Sequence, residues 1–395
     1  MKIKYTSGQT IDVEIKKIVP RGLGLAFAKD LTVFVPLAAA GDKLRVRLTQ
    51  LKGGTAFAEI VEISEPSPAR TDPPCRYFGT CGGCDFQHLK YSEQLSAKVA
   101  MLEDSLKRIG KIDLQQEIEI FPSPEQFEYR SRAVWHLDPR EKTLGYFKRG
   151  SHDVVDIESC PIITPELNKV LHDLRQNIDW ASFSGSRVAI EAASAGGEIS
   201  IYSNELIEPT NAIEFASGGE KYKYNARSFF QANQYLIGEL VAAVIGGLEG
   251  RCAFDLYCGV GLFTIPLARK FERVFGVEGN LDAVDFARSN AAAAGIENTN
   301  FIAESVDGFL NSATGDDLDL VVLDPPRSGT EKGTIDRIID LSPVAISFVA
   351  CDPSFLARDL NHLIAGGYQI DSIKSFDLFP QTHHVETVVR LSRRS

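Results

Sequence analysis

The sequence lacks any long hydrophobic run. No stretch of its 395 residues approaches the ~18 uninterrupted apolar residues of a membrane-spanning helix. The first ten residues, MKIKYTSGQT, also lack the apolar core of a signal peptide. We find no internal repeat and no low-complexity tract. We therefore expect a cytoplasmic globular protein that does not bind a membrane, with roughly two or three domains.

Positive charge is scarce in the chain as a whole. There are 42 Lys or Arg against 53 Asp or Glu, for a formal net charge of -11. This balance is unfavourable for a nucleic-acid partner, because phosphate binding is driven by Lys and Arg. Residues 1–63 are the exception, with ten Lys or Arg against six Asp or Glu, a net charge of +4. Any contact with nucleic acid is therefore expected to depend on local charge.

The chain divides into three predicted pieces. Residues 1–63 contain short runs of β-branched and aliphatic residues between glycine-bearing turns, which predict an OB-like barrel, a fold often used on oligonucleotides. A generic barrel with a solvated basic face fits this segment as well. Residues 64–220 begin with a proline-rich linker and mix a helix near 92–110 with strands, which predicts an α+β domain. Residues 221–395 alternate strands and helices, which predicts a doubly wound α/β domain with ligands at the carboxyl ends of its strands.

The third predicted piece contains a glycine turn. Gly259 and Gly261 lie between a predicted strand and helix, but Thr264 stands where a dinucleotide fingerprint has its third glycine, which disfavours NAD. Glu278 ends the next strand, where such domains place an acid for ribose hydroxyls. Asp324 begins an Asp-Pro-Pro motif after a later strand. Three motifs in this order favour a methyltransferase that uses S-adenosylmethionine, which has a ribose but no pyrophosphate.

Two methyl-transfer chemistries are open to this crevice. Methylation of an amino group needs a lone pair in line with the sulfonium and no covalent step, and Asp-Pro-Pro is common near such crevices. Carbon 5 of uracil is not nucleophilic enough by itself. Its methylation therefore needs a thiolate that adds at carbon 6 and a base that later removes the carbon 5 proton.

The candidate nucleophile and base are Cys351 and Glu386. Cys351 follows the apolar run AISFVA and is expected at the same sheet edge as the glycine turn, although packing explains a free cysteine there as well. Glu386 follows His383 and His384 at a loop-to-strand boundary. No carboxylate stands at zinc-site spacing beside the two histidines, so we interpret them as structural or RNA-facing residues. A protein with an idle pocket would not need both Cys351 and Glu386, which argues against a purely RNA-binding function.

Four other cysteines have a spacing typical of metal or cluster ligands: Cys75, Cys81, Cys84 and Cys160. Four thiolates suit either a tetrahedral zinc ion or a cubane iron–sulfur cluster, and spacing alone does not decide between them. The remaining pair, Cys252 and Cys258, flank the strand before the glycine turn and are interpreted as packing residues.

The chain resembles the RNA uridine-5-methyltransferase family, which makes 5-methyluridine in tRNA and ribosomal RNA. The resemblance covers nearly the whole length and rests on an ordered set of segments: a TRAM-like N-terminal segment, CRYFGTCGGCDFQHLKYSEQL, YRSRAVW, SFFQANQ, FDLYCGVGLFTIPLA, VLDPPRSG, CDPSFLARDL and FPQTHHVE. It implies a class I methyltransferase domain with Cys351 as nucleophile and Glu386 as base. The residues it implies around the cofactor and the target base are Gln231, Tyr257, Glu278 and Asp324.

The resemblance also bears on the cysteines and the substrate. Relatives with this cysteine pattern carry a [4Fe-4S] cluster, which implies iron rather than zinc and an architectural role. By analogy, the cluster and barrel favour 23S ribosomal RNA over tRNA. We separately expect no obligate protein partner and a monomeric state. One departure is Asp352, where many relatives have asparagine, and a negative charge there would raise the pKa of the neighbouring thiol. Phe229 and Phe230 are candidates for stacking on the target or for core packing. The residues expected to contact phosphates, besides the basic N-terminal piece, are Arg130, Arg132, Lys148 and Arg149.

Overall fold

The computed structural model describes residues 5–114, 116–183, 185–204 and 210–394. The strands are β1 (Thr10–Val19), β2 (Leu23–Ala28), β3 (Leu31–Pro36), β4 (Lys43–Lys52), β5 (Thr55–Glu65), β6 (Glu119–Phe121), β7 (Arg132–Asp138), β8 (Thr143–Phe147), β9 (Val154–Asp156), β10 (Val188–Ala195), β11 (Glu198–Tyr202), β12 (Ile213–Ser217), β13 (Glu220–Tyr224), β14 (Gly250–Leu256), β15 (Phe271–Glu278), β16 (Thr299–Ala303), β17 (Leu318–Leu323), β18 (Ala345–Ala350), β19 (Tyr368–Phe376) and β20 (Glu386–Arg393). The α-helices are α1 (Tyr91–Arg108), α2 (Pro165–Asn177), α3 (Ile237–Ile245), α4 (Thr264–Ala268), α5 (Leu281–Ala293), α6 (Val306–Ser312), α7 (Thr334–Leu341) and α8 (Pro353–Ala365).

The N-terminal strands close into a barrel in the order β1-β2-β3-β5-β4. Side chains alternate between the barrel interior and the solvent along β3 and β4, as the period of two in a strand requires. The interior positions include Val33, Val35 and Leu48, none of which is exposed. Closure leaves no free sheet edge, which is how small barrels avoid edge-to-edge pairing. The predicted OB-like barrel is confirmed.

The middle of the chain forms a five-stranded sheet in the order β11-β10-β7-β8-β9, with Trp135 fully buried in its core. The helix predicted near residues 92–110 is α1, and it packs between the barrel and α8. Leu102 and Leu106 of α1 belong to the same hydrophobic core as Leu356 and Leu360 of α8. Strand β6 pairs in parallel with β19. Two elements that precede residue 220 therefore pack into the C-terminal domain, and the predicted boundaries stay predictions.

The C-terminal sheet has the order β16-β15-β14-β17-β18-β20-β19-β6. Strands β14 to β18 are parallel, whereas β20 runs antiparallel between β18 and β19. Two hydrophobic cores, one with α3, α4 and α5 and the other with α1, α6, α7 and α8, pack on the sheet. The predicted doubly wound α/β class is confirmed. Within the described ranges, we find no helix with both the length and the apolar character needed to cross a bilayer.

Candidate active site

The order of the strands brings Cys351 and Glu386 to one edge of the sheet. Cys351 directly follows β18, and Glu386 is the first residue of β20. The two strands are antiparallel, and Ala350 pairs with Thr387. The next residues outward are Cys351 on one strand and Glu386 on the other. Asp324 follows the neighbouring strand β17 and ends at the same edge, because β17 and β18 are parallel.

Burial and mutual repulsion set the protonation of this group. Burial raises the pKa of Glu386 well above its usual range, and the charge of Asp324 raises it further. Burial likewise raises the pKa of Asp324 to about 7, with Asp255 adding to the effect. Arg327 acts in the opposite direction and lowers the pKa of Glu386. Buried carboxyls with displaced pKa values at a strand edge are typical of functional sites.

The thiol of Cys351 responds to the same charges. Burial is the main cause that raises its pKa to about 12, and Glu386 adds to it. Arg327 lowers the pKa, whereas Asp324 and Asp352 raise it by smaller amounts. The expected effect of Asp352 is therefore present, but it is the smallest of these. The Asp352 carboxylate caps α8 by accepting hydrogen bonds from the backbone N–H groups of Ser354 at 2.7 Å and Phe355 at 3.2 Å.

The glycine turn after β14 presents main chain to open space. Tyr257, Gly259 and Gly261 have φ values of 66°, 54° and 92°, a left-handed conformation that glycine adopts without strain. A side chain at position 259 would meet no atom within 4 Å. The Glu278 carboxylate accepts hydrogen bonds from the N–H of Gly259 at 3.1 Å and of Asn280 at 2.8 Å. Glu278 therefore holds the turn and the end of β15 together at the carboxyl edge of the sheet.

Asp255, on β14 below this turn, is a buried acid that the sequence analysis did not single out. Its Oδ2 accepts a hydrogen bond from the Thr264 hydroxyl at 2.5 Å, and its Oδ1 is buried with no hydrogen-bond partner in the described residues. Burial raises its pKa to about 7, and Glu278 adds to that rise. A lone acid inside the apolar run RCAFDLY is the signal that could have identified it. Thr264, where a dinucleotide site has glycine, binds this acid instead.

Gln231 and Tyr257, both predicted around the cofactor and the target base, have different surroundings. Gln231 is buried. The ring of Tyr257 packs against the core on the α7 and α8 side, so its backbone rather than its ring faces the turn. Phe229 is 64% exposed, whereas Phe230 is buried and stacks on Tyr224 with ring centroids 4.3 Å apart. Of the two candidate stacking residues, only Phe229 is accessible to a ligand.

The four spaced cysteines line one cavity of about 140 Å³: Cys75, Cys81, Cys84 and Cys160. Among the described residues, no set of three or more His, Cys, Asp or Glu is gathered closely enough to hold a metal ion. Burial is the main cause that raises the pKa of Cys81, Cys84 and Cys160, the last to about 11. Arg130 also lines the cavity, and its Nε donates to the Arg132 carbonyl at 3.1 Å. In the described chain it has no carboxylate partner, so this half-buried cation shares the cavity with the sulfur atoms.

The three arginines predicted to contact phosphates make contacts inside the chain. The guanidinium of Arg130 lies in the cysteine cavity, and that of Arg132 donates to the Ala226 carbonyl at 2.8 Å. Arg149 binds the Asp85 carboxylate at 2.8 Å. These side chains satisfy internal acceptors, which a formal charge count cannot reveal. Lys148 is exposed and remains available.

The two histidines make contacts inside the chain. His383 Nδ1 lies 2.5 Å from Asp85 Oδ2, and the His383 and His384 rings are 4.2 Å apart. Burial lowers the pKa of His384 to about 3, with the charges of His383 and Arg327 adding to the effect, so it is neutral at pH 7. Cys252 and Cys258 are both buried in hydrophobic cores, as expected for packing residues.

The chain is similar to known proteins over nearly its whole length. A family model described as tRNA (Uracil-5-)-methyltransferase matches residues 187–394, and a TRAM domain model matches residues 4–61. An uncharacterized RNA methyltransferase of Thermosynechococcus vestitus is 31% identical over 98% of this chain and 99% of its own. The 23S rRNA (uracil(1939)-C(5))-methyltransferase of Pectobacterium atrosepticum is 28% identical over 98% of this chain and 94% of its own. The crystal structure of Pyrococcus abyssi tRNA (uracil-54, C5)-methyltransferase with S-adenosyl-L-homocysteine has a TM-score of 0.75 and 25% identity, covering 96% of this chain and 100% of that one. The chain belongs to the tRNA (Uracil-5-)-methyltransferase family.

Proposed function

We propose that this protein transfers a methyl group from S-adenosylmethionine to carbon 5 of a uridine in RNA, through a covalent adduct between Cys351 and carbon 6. The observation that carries this proposal is the pairing of β18 with β20, which puts Cys351 and Glu386 at one sheet edge beside Asp324. Amino-group methylation would use Asp324 and the motif around it, but it would have no use for a thiol and a second acid there.

The proposed reaction begins with the thiolate of Cys351. Its sulfur bonds to carbon 6 of uracil, and the electron pair of the ring double bond moves toward carbon 5 as an enolate. Carbon 5 attacks the methyl group, the bond from methyl to sulfonium sulfur breaks, and S-adenosylhomocysteine leaves. Ionised Glu386 then takes the carbon 5 proton, the double bond re-forms and Cys351 leaves as a thiolate. The raised pKa of Glu386 makes it a stronger base than an exposed carboxylate.

The cofactor would lie along the glycine turn. Glu278 is proposed to bind the ribose hydroxyls, since its carboxylate already stands against the N–H of Gly259. The backbone at Tyr257 and Gly259 would approach the nucleoside, where the structure leaves open space. Gln231 and Asp324 are proposed to complete the pocket between the cofactor and the target base.

The four spaced cysteines are proposed to hold a [4Fe-4S] cluster. Support comes from the four thiols that line one cavity, since four thiolates are the ligands of a cubane cluster. Arg130 supports an anionic occupant, because it lines the same cavity and has no carboxylate partner in the described chain. Methyl transfer needs no electron, so the cluster would supply architecture, and the protein's own contribution is the fixed position of residues 75–85.

The proposed substrate is ribosomal RNA, with tRNA as the alternative. The relatives include one protein named for each substrate. The N-terminal barrel, with its net charge of +4, is proposed to bind the RNA backbone. Specific recognition would depend on an unstacked loop base entering the pocket, which an acidic protein can accommodate. Exposed Lys148 and Phe229 are candidates for that contact. A cytoplasmic location and a monomeric state stay predictions.

The direct test uses unmodified transcripts of 23S ribosomal RNA and of tRNA with labelled S-adenosylmethionine. After nuclease digestion, we expect the label to migrate as 5-methyluridine from one of the two transcripts. Label in an N-methylated base, or in neither transcript, would refute the proposal. Mapping 5-methyluridine in RNA from a strain without the protein would then locate the uridine.

A further inference from the structure

The base Glu386 is preceded by a loop, residues 377–385, that has almost no regular structure of its own. Its position therefore depends on contacts with other parts of the chain. Lys98 Nζ of α1 binds Asp377 Oδ1 at 2.5 Å and the Phe379 carbonyl at 3.0 Å. The Gln94 side-chain amide also donates to Gln381 Oε1 at 2.9 Å, and the Gln381 backbone N–H donates to Gln94 Oε1 at 2.9 Å. Helix α1 thus fixes the first half of the loop.

The second half of the loop is held by the segment that follows Cys84. The backbone N–H groups of Asp85 and Phe86 both donate to the Gln381 carbonyl at 2.9 Å. The Asp85 carboxylate then reaches forward, because its Oδ2 lies 2.5 Å from His383 Nδ1 and 3.4 Å from the His383 N–H. His383 stands three residues before Glu386. Asp85 therefore contacts the loop through both its backbone and its side chain.

Asp85 is itself held firmly. Arg149 donates to its Oδ1 at 2.8 Å and also to the Cys84 carbonyl. The Arg149 N–H in turn donates to the Thr80 carbonyl at 2.9 Å, so β8 and the cysteine segment are tied together at this point. The Asp85 carboxylate is only 12% exposed. Of its two oxygens, one faces an arginine of the cysteine region and the other faces the loop of the base.

We propose that Asp85 is a positioning residue for Glu386, because Asp85 ties the loop before this base to the segment beside Cys84. The proposal rests on the proposed function, because it assigns Asp85 to the step in which Glu386 removes the carbon 5 proton. A base must lie within hydrogen-bond reach of the proton it takes, and a displacement of ~1 Å can slow a step by ~100-fold. A short structural path therefore connects the four spaced cysteines to Glu386 through the adjacent residues Cys84 and Asp85.

The test is the Asp85→Asn variant, which keeps the size of the side chain and removes its charge. Addition and methyl transfer precede the step that Glu386 performs. We therefore expect adduct formation near the wild-type rate and release slowed between ~10-fold and ~100-fold, so that a denaturant-resistant enzyme–RNA complex accumulates. The RNA is whichever transcript the wild-type protein methylates. A merely structural role would slow formation and release together.

The matched control is Asp336→Asn, since Asp336 and His362 form another Asp–His pair, 2.9 Å apart, between α7 and α8 on the surface. This variant should release product at the wild-type rate. If Asp85→Asn folds poorly, His383→Gln removes the same contact from the other side and should give the same accumulation. Release at the wild-type rate in both Asp85→Asn and His383→Gln overturns the proposal.

Hydrogen exchange provides a second measurement that needs no RNA. Backbone amides of residues 377–385 should exchange faster in Asp85→Asn than in wild type or in Asp336→Asn. Unchanged exchange in this loop overturns the proposal even where the wild-type protein makes 5-methyluridine. If the loop exchanges faster but the wild-type protein makes no 5-methyluridine, the proposed function is refuted, and with it the catalytic meaning of the contact.

Discussion

Replacing Lys98 by Met should destabilise the protein by about 3–5 kcal/mol, because it leaves a buried carboxylate without its cation. Lys98 and Asp377 are both fully buried, and the Lys98 Nζ lies 2.5 Å from Asp377 Oδ1. Burial lowers the pKa of Lys98, and Asp377 is the main group that opposes this. In the Lys98→Met variant no cation would neutralise the Asp377 carboxylate, so the loop that leads to Glu386 should also loosen.

The same helix provides the control. Lys17 and Asp104 of α1 are also 2.5 Å apart, but their side chains are 44% and 19% exposed. Because water screens this pair, Lys17→Met should cost no more than about 1 kcal/mol. The assay is urea denaturation followed by tryptophan fluorescence, with the two variants compared under identical conditions. The two ion pairs have the same distance between nitrogen and oxygen but differ greatly in burial. A difference between the two variants in free energy of unfolding therefore reports the desolvation of the buried pair.

A double variant completes the argument. Adding Asp377→Leu to Lys98→Met replaces the pair by apolar side chains of similar size, which is often neutral for buried pairs. Most of the lost stability should therefore return, although the loop before Glu386 loses its anchor at Phe379. The reasoning is refuted if Lys98→Met destabilises the protein no more than Lys17→Met.

Three further variants or conditions have defined outcomes. Glu278→Ala should weaken S-adenosylmethionine binding by about tenfold or more in calorimetry, because a charge-assisted hydrogen bond is lost. The control Glu272→Ala, on the exposed part of the same strand, should leave this affinity unchanged. Equal affinities of Glu278→Ala and wild type would remove Glu278 from the pocket. Because burial raises the pKa of Cys351 to about 12, its alkylation by iodoacetamide should increase roughly tenfold per pH unit from pH 7 to 9, as measured by peptide mass spectrometry. A plateau below pH 8 would contradict that pKa. Protein purified without oxygen should be brown and contain iron, both lost in Cys81→Ser, and colourless protein with stoichiometric zinc would exclude the cluster.

Sequence order alone could place most of the candidate site. Glu278, Asp324 and Cys351 each follow or end a parallel strand, and the carboxyl ends of parallel strands share one edge. Their shared edge was therefore predictable, although their roles stay predictions. Glu386 was different, because alternation of strands and helices does not show that β20 is inserted antiparallel between β18 and β19.

Long-range partners could not be predicted from local patterns. Asp85 and His383 are 298 residues apart, and Lys98 and Asp377 are 279 apart. No spacing rule connects such pairs, and the sequence analysis accordingly interpreted the histidines only as structural or RNA-facing residues. The internal position of the Arg130 guanidinium was not predicted for a related reason, since an arginine is expected at the surface unless a buried partner is known. The internal positions of α1 and β6 likewise depend on tertiary packing.

The central claim is covalent catalysis by Cys351, and the most direct test is RNA in which the target uridine carries fluorine at carbon 5. Such a base can accept the thiolate and the methyl group, but it has no carbon 5 proton for Glu386 to remove. The wild-type protein should then form a complex with this RNA that resists denaturant and contains the transferred methyl group. Cys351→Ala should form none, whereas Cys252→Ala should behave as wild type. The account is contradicted if wild-type protein forms no such complex, or if Cys351→Ala still methylates carbon 5 of ordinary RNA.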